Sequence, residues 1–185
     1  MDLCERVFDR LDGQRRHVVG INGLDCSGKT TFATSLNAFL AAKGISSVVL
    51  NVDDFNDLTF QERFYQRYVS DGLPRVDLED YYNSSINYQG LLSAITARAS
   101  GANQSREPGV TIVEGVFLFK PIFSELFNTK VFLDVSYADA IARYEQRRIQ
   151  VGDKRPLSVM TDIWIPAFER YVDRCDPRGQ SDFVH

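Results

Sequence analysis

Apolar residues occur in two patterns that alternate along this chain. Short continuous apolar runs are typical of strands buried on both faces of a sheet. They predict strands at residues 17–22, 47–52, 110–113, 130–135 and 182–184. Apolar residues three or four positions apart predict helices at residues 30–43, 59–70, 78–99, 137–150 and 157–172. Pro166 is expected to bend the last helix, and residues 100–108 have the composition of a surface loop.

Strands that alternate with helices predict an α/β fold with a mostly parallel sheet. A length of 185 residues suits one domain that spans the whole chain, residues 1–185. Such sheets bind their ligands at the carboxyl ends of the strands. We therefore expect the chemistry directly after residues 22, 52, 113 and 135.

Composition and charge narrow the class of partner. The formal net charge is −4, so no global basic field attracts nucleic acid or an anionic membrane, and we expect neither as a partner. No apolar run approaches the roughly 20 residues of a transmembrane helix, and residues 1–16 lack the apolar stretch of a signal peptide. These features predict a cytoplasmic protein. Its three scattered cysteines are expected to be reduced thiols.

Residues 23–30 (GLDCSGKT) match the phosphate-binding pattern G-x-x-x-x-G-K-[ST] between a predicted strand and a predicted helix. In this pattern the glycines let the backbone fold around a phosphate, and the helix N-terminus adds partial positive charge. Lys29 is expected to reach the β- and γ-phosphates, and the Thr30 hydroxyl to ligate Mg²⁺. The predicted ATP-binding residues of the loop are Gly23, Asp25, Cys26, Ser27, Gly28, Lys29, Thr30 and Thr31.

Two predicted strands end in acidic residues. The second strand is followed directly by Asp53 and Asp54. An enzyme that transfers phosphate from a bound nucleotide to a hydroxyl group, a kinase, needs a carboxylate there to orient and deprotonate that acceptor hydroxyl. We assign this role to Asp53, which would also bind substrate and Mg²⁺, with Asp54 supporting the substrate or the metal. Either aspartate could instead cap the next helix. Glu114 ends the third strand and is expected to hold Mg²⁺ through water or to position Asp53; a surface acid is the alternative.

Four segments resemble the uridine kinase and nicotinamide riboside kinase group, with phosphoribulokinase and bacterial pantothenate kinase as more distant relatives. They are residues 23–31 (GLDCSGKTT), 52–55 (VDDF), 112–119 (IVEGVFLF) and 131–134 (VFLD), followed by an arginine-rich helix. The resemblance extends from about residue 18 to residue 171. It implies a P-loop fold of three α/β/α layers with five parallel core strands, and transfer of the ATP γ-phosphate to a primary hydroxyl. It also implies that Asp53 is the catalytic carboxylate.

The sequence departs from this group in the acceptor region. Residues 80–88 (DYYNSSINY) replace the H-P-x-A-F-D element of uridine kinases, and residues 151–155 (VGDKR) replace the R-G-R-D lid signature. Residues 162–166 (DIWIP) resemble instead the W-P element of nicotinamide riboside kinases. The identity of the acceptor therefore stays open.

The arginine-rich helix is predicted to form a lid over residues 143–157. Arg143 and Arg147 lie four positions apart on one helix face, and the resemblance matches both to lid arginines that bind ATP. Arginines that close over a transferring phosphate stabilise its charge and exclude water, which makes Arg147 a candidate catalytic residue beside Lys29. The alternative is a solvated face paired with Asp139 and Glu145.

Aromatic residues are concentrated between the second and third core strands. Tyr81 and Tyr82 are predicted to bind the acceptor by stacking on a flat ring, with Asp80 or Arg75 fixing a ribose or another polar group. Core packing is the alternative explanation for each tyrosine.

These features predict a kinase that uses ATP and Mg²⁺ to phosphorylate a hydroxyl of a small molecule, such as a nucleoside of the uridine, cytidine or nicotinamide riboside type. Alternatives are a pantothenate-type or sugar-type acceptor, a non-catalytic nucleotide-binding module, and a GTPase switch. The switch would need an N-K-x-D element, which residues 128–130 do not match. A homodimer is a candidate assembly.

Overall fold

The computed structural model describes residues 2–11, 16–71, 77–100 and 109–185. Within these residues the sheet has five strands: β1 (His17–Gly23), β2 (Ser47–Asn51), β3 (Val110–Gly115), β4 (Thr129–Leu133) and β5 (Phe183–Val184). All neighbouring strands run parallel, in the order β2-β3-β1-β4-β5. The predicted parallel α/β sheet is confirmed.

Eight helices flank the sheet in the described part of the chain. They are α1 (Leu3–Phe8), α2 (Lys29–Ala42), α3 (Leu58–Asp71), α4 (Leu78–Ser84), α5 (Tyr88–Ala99), α6 (Pro121–Ser124), α7 (Tyr137–Val151) and α8 (Ile165–Cys175). A 3-10 turn, Val52–Phe55, directly follows β2, and a π-helix, Met160–Trp164, leads into α8. None of the helices in these residues is both long and apolar enough to cross a membrane.

Alternating residues of the central strands feed two separate hydrophobic cores. On β1, Val18 packs in the core formed with α3, α4, α5, α7 and α8, whereas Val19 packs in the core formed with α1 and α2. On β3, Val113 and Ile112 divide in the same way. Both faces of the sheet are therefore covered by helices, as expected for a parallel sheet, and the predicted three-layer arrangement is confirmed.

The prediction of one continuous helix over residues 78–99 is wrong. The segment is divided into α4 and α5 because Ile86 forms a β-bridge with Asn56, and the Asn87 N–H donates to the Phe55 carbonyl at 2.7 Å. The Asn87 side chain then caps α5 by accepting from the Gly90 N–H. This break ties the two helices to the turn that carries Asp53.

Two further elements differ from the prediction. The helix predicted at residues 157–172 is a π-helix followed by α8, in which Pro166 occupies the first turn, where its missing N–H is tolerated. Helix α1 was not predicted, although Asp2 and Glu5 form a capping box at its start. Residues 101–108 of the loop predicted at 100–108, and the substrate candidate Arg75, lie outside the described residues.

Two contacts hold the strand ends that matter for the site. The fully buried Tyr171 hydroxyl accepts hydrogen bonds from Asn22 Nδ2 at 2.7 Å and from the Phe119 N–H at 2.8 Å, and so joins α8 to β1 and to the loop after β3. At the end of β3, a Cβ on Gly115 would lie 2.3 Å from the Val52 side chain. Only glycine lets these two strand ends approach so closely.

Candidate active site

The loop between β1 and α2 has the backbone of a phosphate cradle. Cys26 and Gly28 have positive φ angles of 62° and 97°, which turn the chain back on itself. A Cβ on Gly23 would lie 2.6 Å from Ser27 Oγ and 2.7 Å from the Leu133 carbonyl oxygen, so the first position of the motif also requires glycine. The Lys29 side chain is 91% buried inside the loop, and its Nζ donates to the Leu24 carbonyl at 2.7 Å.

A cleft of about 1050 Å³, hereafter the large cleft, runs along this loop. Apart from Gly23, all the predicted ATP-binding residues line it, and so do Asp53 and Glu114. Those predicted residues are Asp25, Cys26, Ser27, Gly28, Lys29, Thr30, Thr31, Arg143 and Arg147. Residues 2–4, 133–135 and His185 line the large cleft as well.

Glu114 lies at the carboxyl end of β3, in register between Ile21 of β1 and Asn51 of β2. Its side chain is 98% buried and accepts a hydrogen bond from Thr30 Oγ1 at 2.9 Å. Burial raises the pKa of the Glu114 carboxyl, while the Thr30 hydrogen bond and the nearby Lys29 charge oppose the shift. A buried carboxylate beside a hydroxyl at the base of the loop has the composition of a magnesium site.

Mg²⁺ in proteins prefers oxygen ligands and is usually held by one or two carboxylates together with substrate phosphates. Thr30 and Glu114 supply such oxygens, and Asp53 lines the same cleft. Among the residues that the structure describes, no group of three or more His, Cys, Asp or Glu side chains could hold a metal alone. This donor set fits an ion whose coordination is completed by a nucleotide, and it does not resemble a self-sufficient metal centre.

Asp53 lies in the 3-10 turn after β2, where its backbone N–H donates to Asn51 Oδ1 at 2.8 Å. Its side chain is exposed, and its charge contributes to raising the pKa of both Glu114 and Asp25. Asp25 belongs to the loop itself. Burial raises the pKa of the Asp25 carboxyl, and the charges of Lys29 and Arg147 oppose that shift. The charges of these three carboxyl groups and of the nearby cations therefore influence one another.

A second cavity of about 180 Å³, hereafter the small cavity, adjoins the large cleft. Its walls come from the turn after β2 and from α3, α4, α7 and the π-helix. Asp25, Cys26, Asp53, Val116 and Arg147 line both spaces. Asp53 and Arg147 therefore lie at the junction between the phosphate cradle and a separate compartment.

The segment predicted to form a lid, residues 143–157, contacts the loop and contributes residues to both spaces. Arg143 Nη1 donates to the Cys26 carbonyl at 3.2 Å, which places α7 against the loop. Helix α7 ends at Gly152, whose φ of 67° reverses the chain. Beyond it, the guanidinium of Arg155 forms a bidentate ion pair with Asp153, at 2.6 Å for Nη2 and Oδ2. Both of these residues line the small cavity.

The predicted substrate-binding residues have different positions. Asp53 and Tyr81 line the small cavity, whereas Asp54, Asp80 and Tyr82 line neither space. Asp54 and Asp80 are exposed, and Asp80 accepts a hydrogen bond from Ser84 on the surface of α4. The cavity wall contains polar residues that the sequence reasoning did not single out, among them Asn56, Gln61 and Ser85.

Tyr82 does not line the small cavity and instead contacts the buried Lys120. Lys120 Nζ donates to the Tyr82 carbonyl at 2.6 Å and to the Tyr88 hydroxyl at 2.7 Å, and it lies 3.5 Å from the centre of the Tyr82 ring. Burial lowers the pKa of Lys120 to about 7. This contact joins α4 and α5 to the loop after β3. No sequence motif predicted the contact between Lys120 and these two helices.

Two solved structures share this fold over nearly the whole chain. A "possible uridine kinase" from Bacillus stearothermophilus superposes with a TM-score of 0.70 at 21% identity, covering 98% of this chain and 94% of its own. A "putative fructose transport system kinase" from Silicibacter sp. TM1040 superposes with a TM-score of 0.69 at 22% identity, covering 99% and 97%. No family model and no curated protein matches the chain by sequence. The resemblance noted in the sequence is confirmed at the level of the fold, which this chain shares with both of these structures.

Proposed function

We propose that the protein is an ATP-dependent kinase that transfers the γ-phosphate to a hydroxyl group of a small molecule. The observation that carries this proposal is the position of Asp53 and Arg147, which line both the large cleft and the small cavity. A triphosphate in the loop and an acceptor in the small cavity would meet at these two side chains. A GTPase switch or a non-catalytic nucleotide-binding module does not need a second compartment at that point.

The residues at the junction suit each part of the reaction. Asp53 orients the acceptor hydroxyl and takes its proton while the oxygen bonds to the γ-phosphorus; the bond from that phosphorus to the bridging oxygen breaks, and ADP leaves. Lys29 and Arg147 stabilise the charge on the transferring group. When bound, Mg²⁺ neutralises phosphate charge, and Thr30 and Glu114 are the residues that would hold it. The lid excludes water, which would otherwise compete as acceptor.

The acceptor class is less closely defined than the reaction. The sequence resemblance implies a nucleoside of the uridine, cytidine or nicotinamide riboside type. One structural neighbour is described as a possible uridine kinase and the other as a putative fructose transport system kinase, so a sugar is a second candidate. The chemistry at Asp53 is the same for both.

The test is the substitution Asp53→Asn, which keeps the size of the side chain and removes its basicity. Transfer is expected to fall by at least about 10³-fold, within the range that a general base contributes. ATP binding, measured by calorimetry, should persist because the loop is unchanged. Glu62→Gln is the matched control, since Glu62 is an exposed acid on α3 that lines neither space. Turnover of the Asp53→Asn variant within tenfold of the unmodified enzyme would remove Asp53 from the mechanism.

A further inference from the structure

The small cavity is compact, and its walls are rich in hydrogen-bonding groups. Its volume of about 180 Å³ is below the roughly 300–1,000 Å³ of pockets that enclose drug-sized ligands between apolar and aromatic walls. Asp53, Asn56, Gln61 and Ser85 form its polar wall, whereas the aliphatic side chains in it are few, such as Ile86. A ligand held here would be recognised mainly through hydrogen bonds.

The aromatic rings of this cavity are in contact with other side chains of the protein. The Arg155 guanidinium lies 5.0 Å from the centre of the Trp164 ring and 5.7 Å from that of Tyr65. Tyr144 packs edge-on against Trp164 with a centroid distance of 4.9 Å. Trp164 Nε1 donates to the Tyr65 hydroxyl at 2.9 Å, and that hydroxyl lies 3.4 Å from the hydroxyl of Tyr81. The Arg155 guanidinium therefore covers one face of Trp164 and one of Tyr65, and the polar edges of these two rings are engaged as well.

Arg155 is held firmly in its place over the rings. Its Nε and Nη2 donate to the Asp153 carboxylate at 2.6–3.1 Å, and its carbonyl accepts from Arg148 Nη1 at 3.2 Å. A flat base could stack on this face of Trp164 only if the guanidinium moved away. That movement would break both a charge-assisted bidentate pair and a cation–π contact. Stacking of a flat ring is therefore disfavoured at Tyr65 and Trp164.

The formal charges around the small cavity cancel. Three aspartates and three arginines line it in the described part of the chain: Asp25, Asp53, Asp153, Arg147, Arg148 and Arg155. An anionic acceptor would need an excess of cations, and a cationic one an excess of acids. The balance favours an uncharged ligand.

We infer that the acceptor is a compact, uncharged, polyhydroxylated molecule, a sugar or a sugar alcohol, and not a nucleoside that stacks its base on the cavity's rings. This inference rests on the proposed kinase function and specifies its substrate class. One acceptor hydroxyl loses its proton to Asp53 and becomes the phosphate ester, and ATP becomes ADP. The remaining hydroxyls bond to the polar wall formed by Asn56, Gln61 and Ser85.

The first experiment measures ADP release with two panels of acceptors at equal concentration. One panel contains fructose, ribose, glucose and mannitol, and the other contains uridine, cytidine and nicotinamide riboside. We expect a neutral sugar or sugar alcohol to have a kcat/KM at least tenfold above that of any nucleoside. A nucleoside as the better substrate would overturn the inference and leave the kinase function intact. Turnover of neither panel would overturn both.

The second experiment uses Trp164, which is the single tryptophan of the chain and lines the cavity. With a non-hydrolysable ATP analogue bound, uridine should not quench its fluorescence in the unmodified protein. Arg155→Ala should free the ring faces, so that uridine quenches the emission and the nucleoside-to-sugar ratio of kcat/KM rises about tenfold.

Arg67→Ala is the matched control, because Arg67 is an exposed arginine on α3 that does not line the cavity. Quenching by uridine in the unmodified protein, at lower concentration than by any sugar, would overturn the inference. An unchanged ratio in a folded Arg155→Ala variant would overturn it as well. If that variant does not fold, the acceptor panels decide alone.

Discussion

The large cleft and the small cavity meet at Asp53 and Arg147 but are built in different ways. The phosphate cradle of the large cleft is formed by consecutive residues, and much of what it offers a ligand is backbone in a conformation that glycine permits. The small cavity is assembled from side chains of many separate segments, which lie between Asp25 and Trp164 in the sequence. The first therefore leaves a short motif in the sequence and the second leaves none. Under the proposed function, the first region indicates the type of reaction and the second selects the acceptor.

Apart from the loss expected for Asp53→Asn, the largest effect should come from the cradle itself. Lys29→Met removes the buried charge of the loop while keeping much of the side-chain volume. We expect kcat/KM for ATP to fall about 10²–10³-fold, as when one preorganised donor to a transition state is lost. Steady-state kinetics with a saturating acceptor would measure it. A loss below tenfold would mean that the loop amides alone hold the phosphates, and the contrast between the two regions would weaken.

The junction can be tested with two arginines from one helix. Arg147 lines both spaces, whereas Arg143 lines only the large cleft. Arg147→Ala is expected to lower kcat about 10²-fold through lost stabilisation of transferring charge, and to raise KM for both substrates. Arg143→Ala should raise KM for ATP and leave that of the acceptor unchanged. If the two variants behave alike, α7 acts as a uniform lid and Arg147 has no special place.

A smaller effect should be confined to the small cavity. Trp164→Phe keeps an aromatic ring and removes the Nε1 donor to Tyr65, a neutral hydrogen bond that contributes about 1 kcal/mol, or roughly fivefold in acceptor KM. KM for ATP should stay within twofold. Tyr68→Phe is the control, because Tyr68 bonds to Ser158 and Asp162 on the same elements but does not line the cavity. An equal rise of acceptor KM in both variants would point to loosened packing.

The last prediction concerns stability, where the smallest change in activity is expected, and it tests the buried Lys120 outside the small cavity. Because burial lowers the pKa of Lys120 to about 7 from its usual 10.5, the folded state binds fewer protons than the unfolded state between these values. The free energy of unfolding should therefore rise as pH increases from about 7 towards 10.5, and this gain should disappear in Lys120→Met. Urea unfolding at several pH values measures the slope. Lys43→Met, at an exposed lysine, should retain it; equal slopes in all three proteins would contradict the assignment.

The parts of the molecule that the sequence predicted are those that depend on periodicity or on backbone shape. Buried strands show as apolar runs, and the loop at residues 23–30 shows as spaced glycines beside Lys29. The walls of the small cavity depend on the direction of each side chain, which the pattern of apolar and polar residues does not predict. Tyr81 and Tyr82 are adjacent on one helix, about 100° apart around its axis, so one reaches the cavity and the other packs on Lys120. The break between α4 and α5 was missed because the Asn56–Ile86 bridge that causes it is non-local.

Gly115 controls how closely the end of β3 approaches the turn that follows β2. Because Gly115 has no side chain, the two segments lie close together, and Val52 fills the space that a methyl group would need. The separation of Glu114 from Asp53 therefore depends on the absence of a side chain at position 115. One methyl group there would move the two carboxylates apart, although both would be retained.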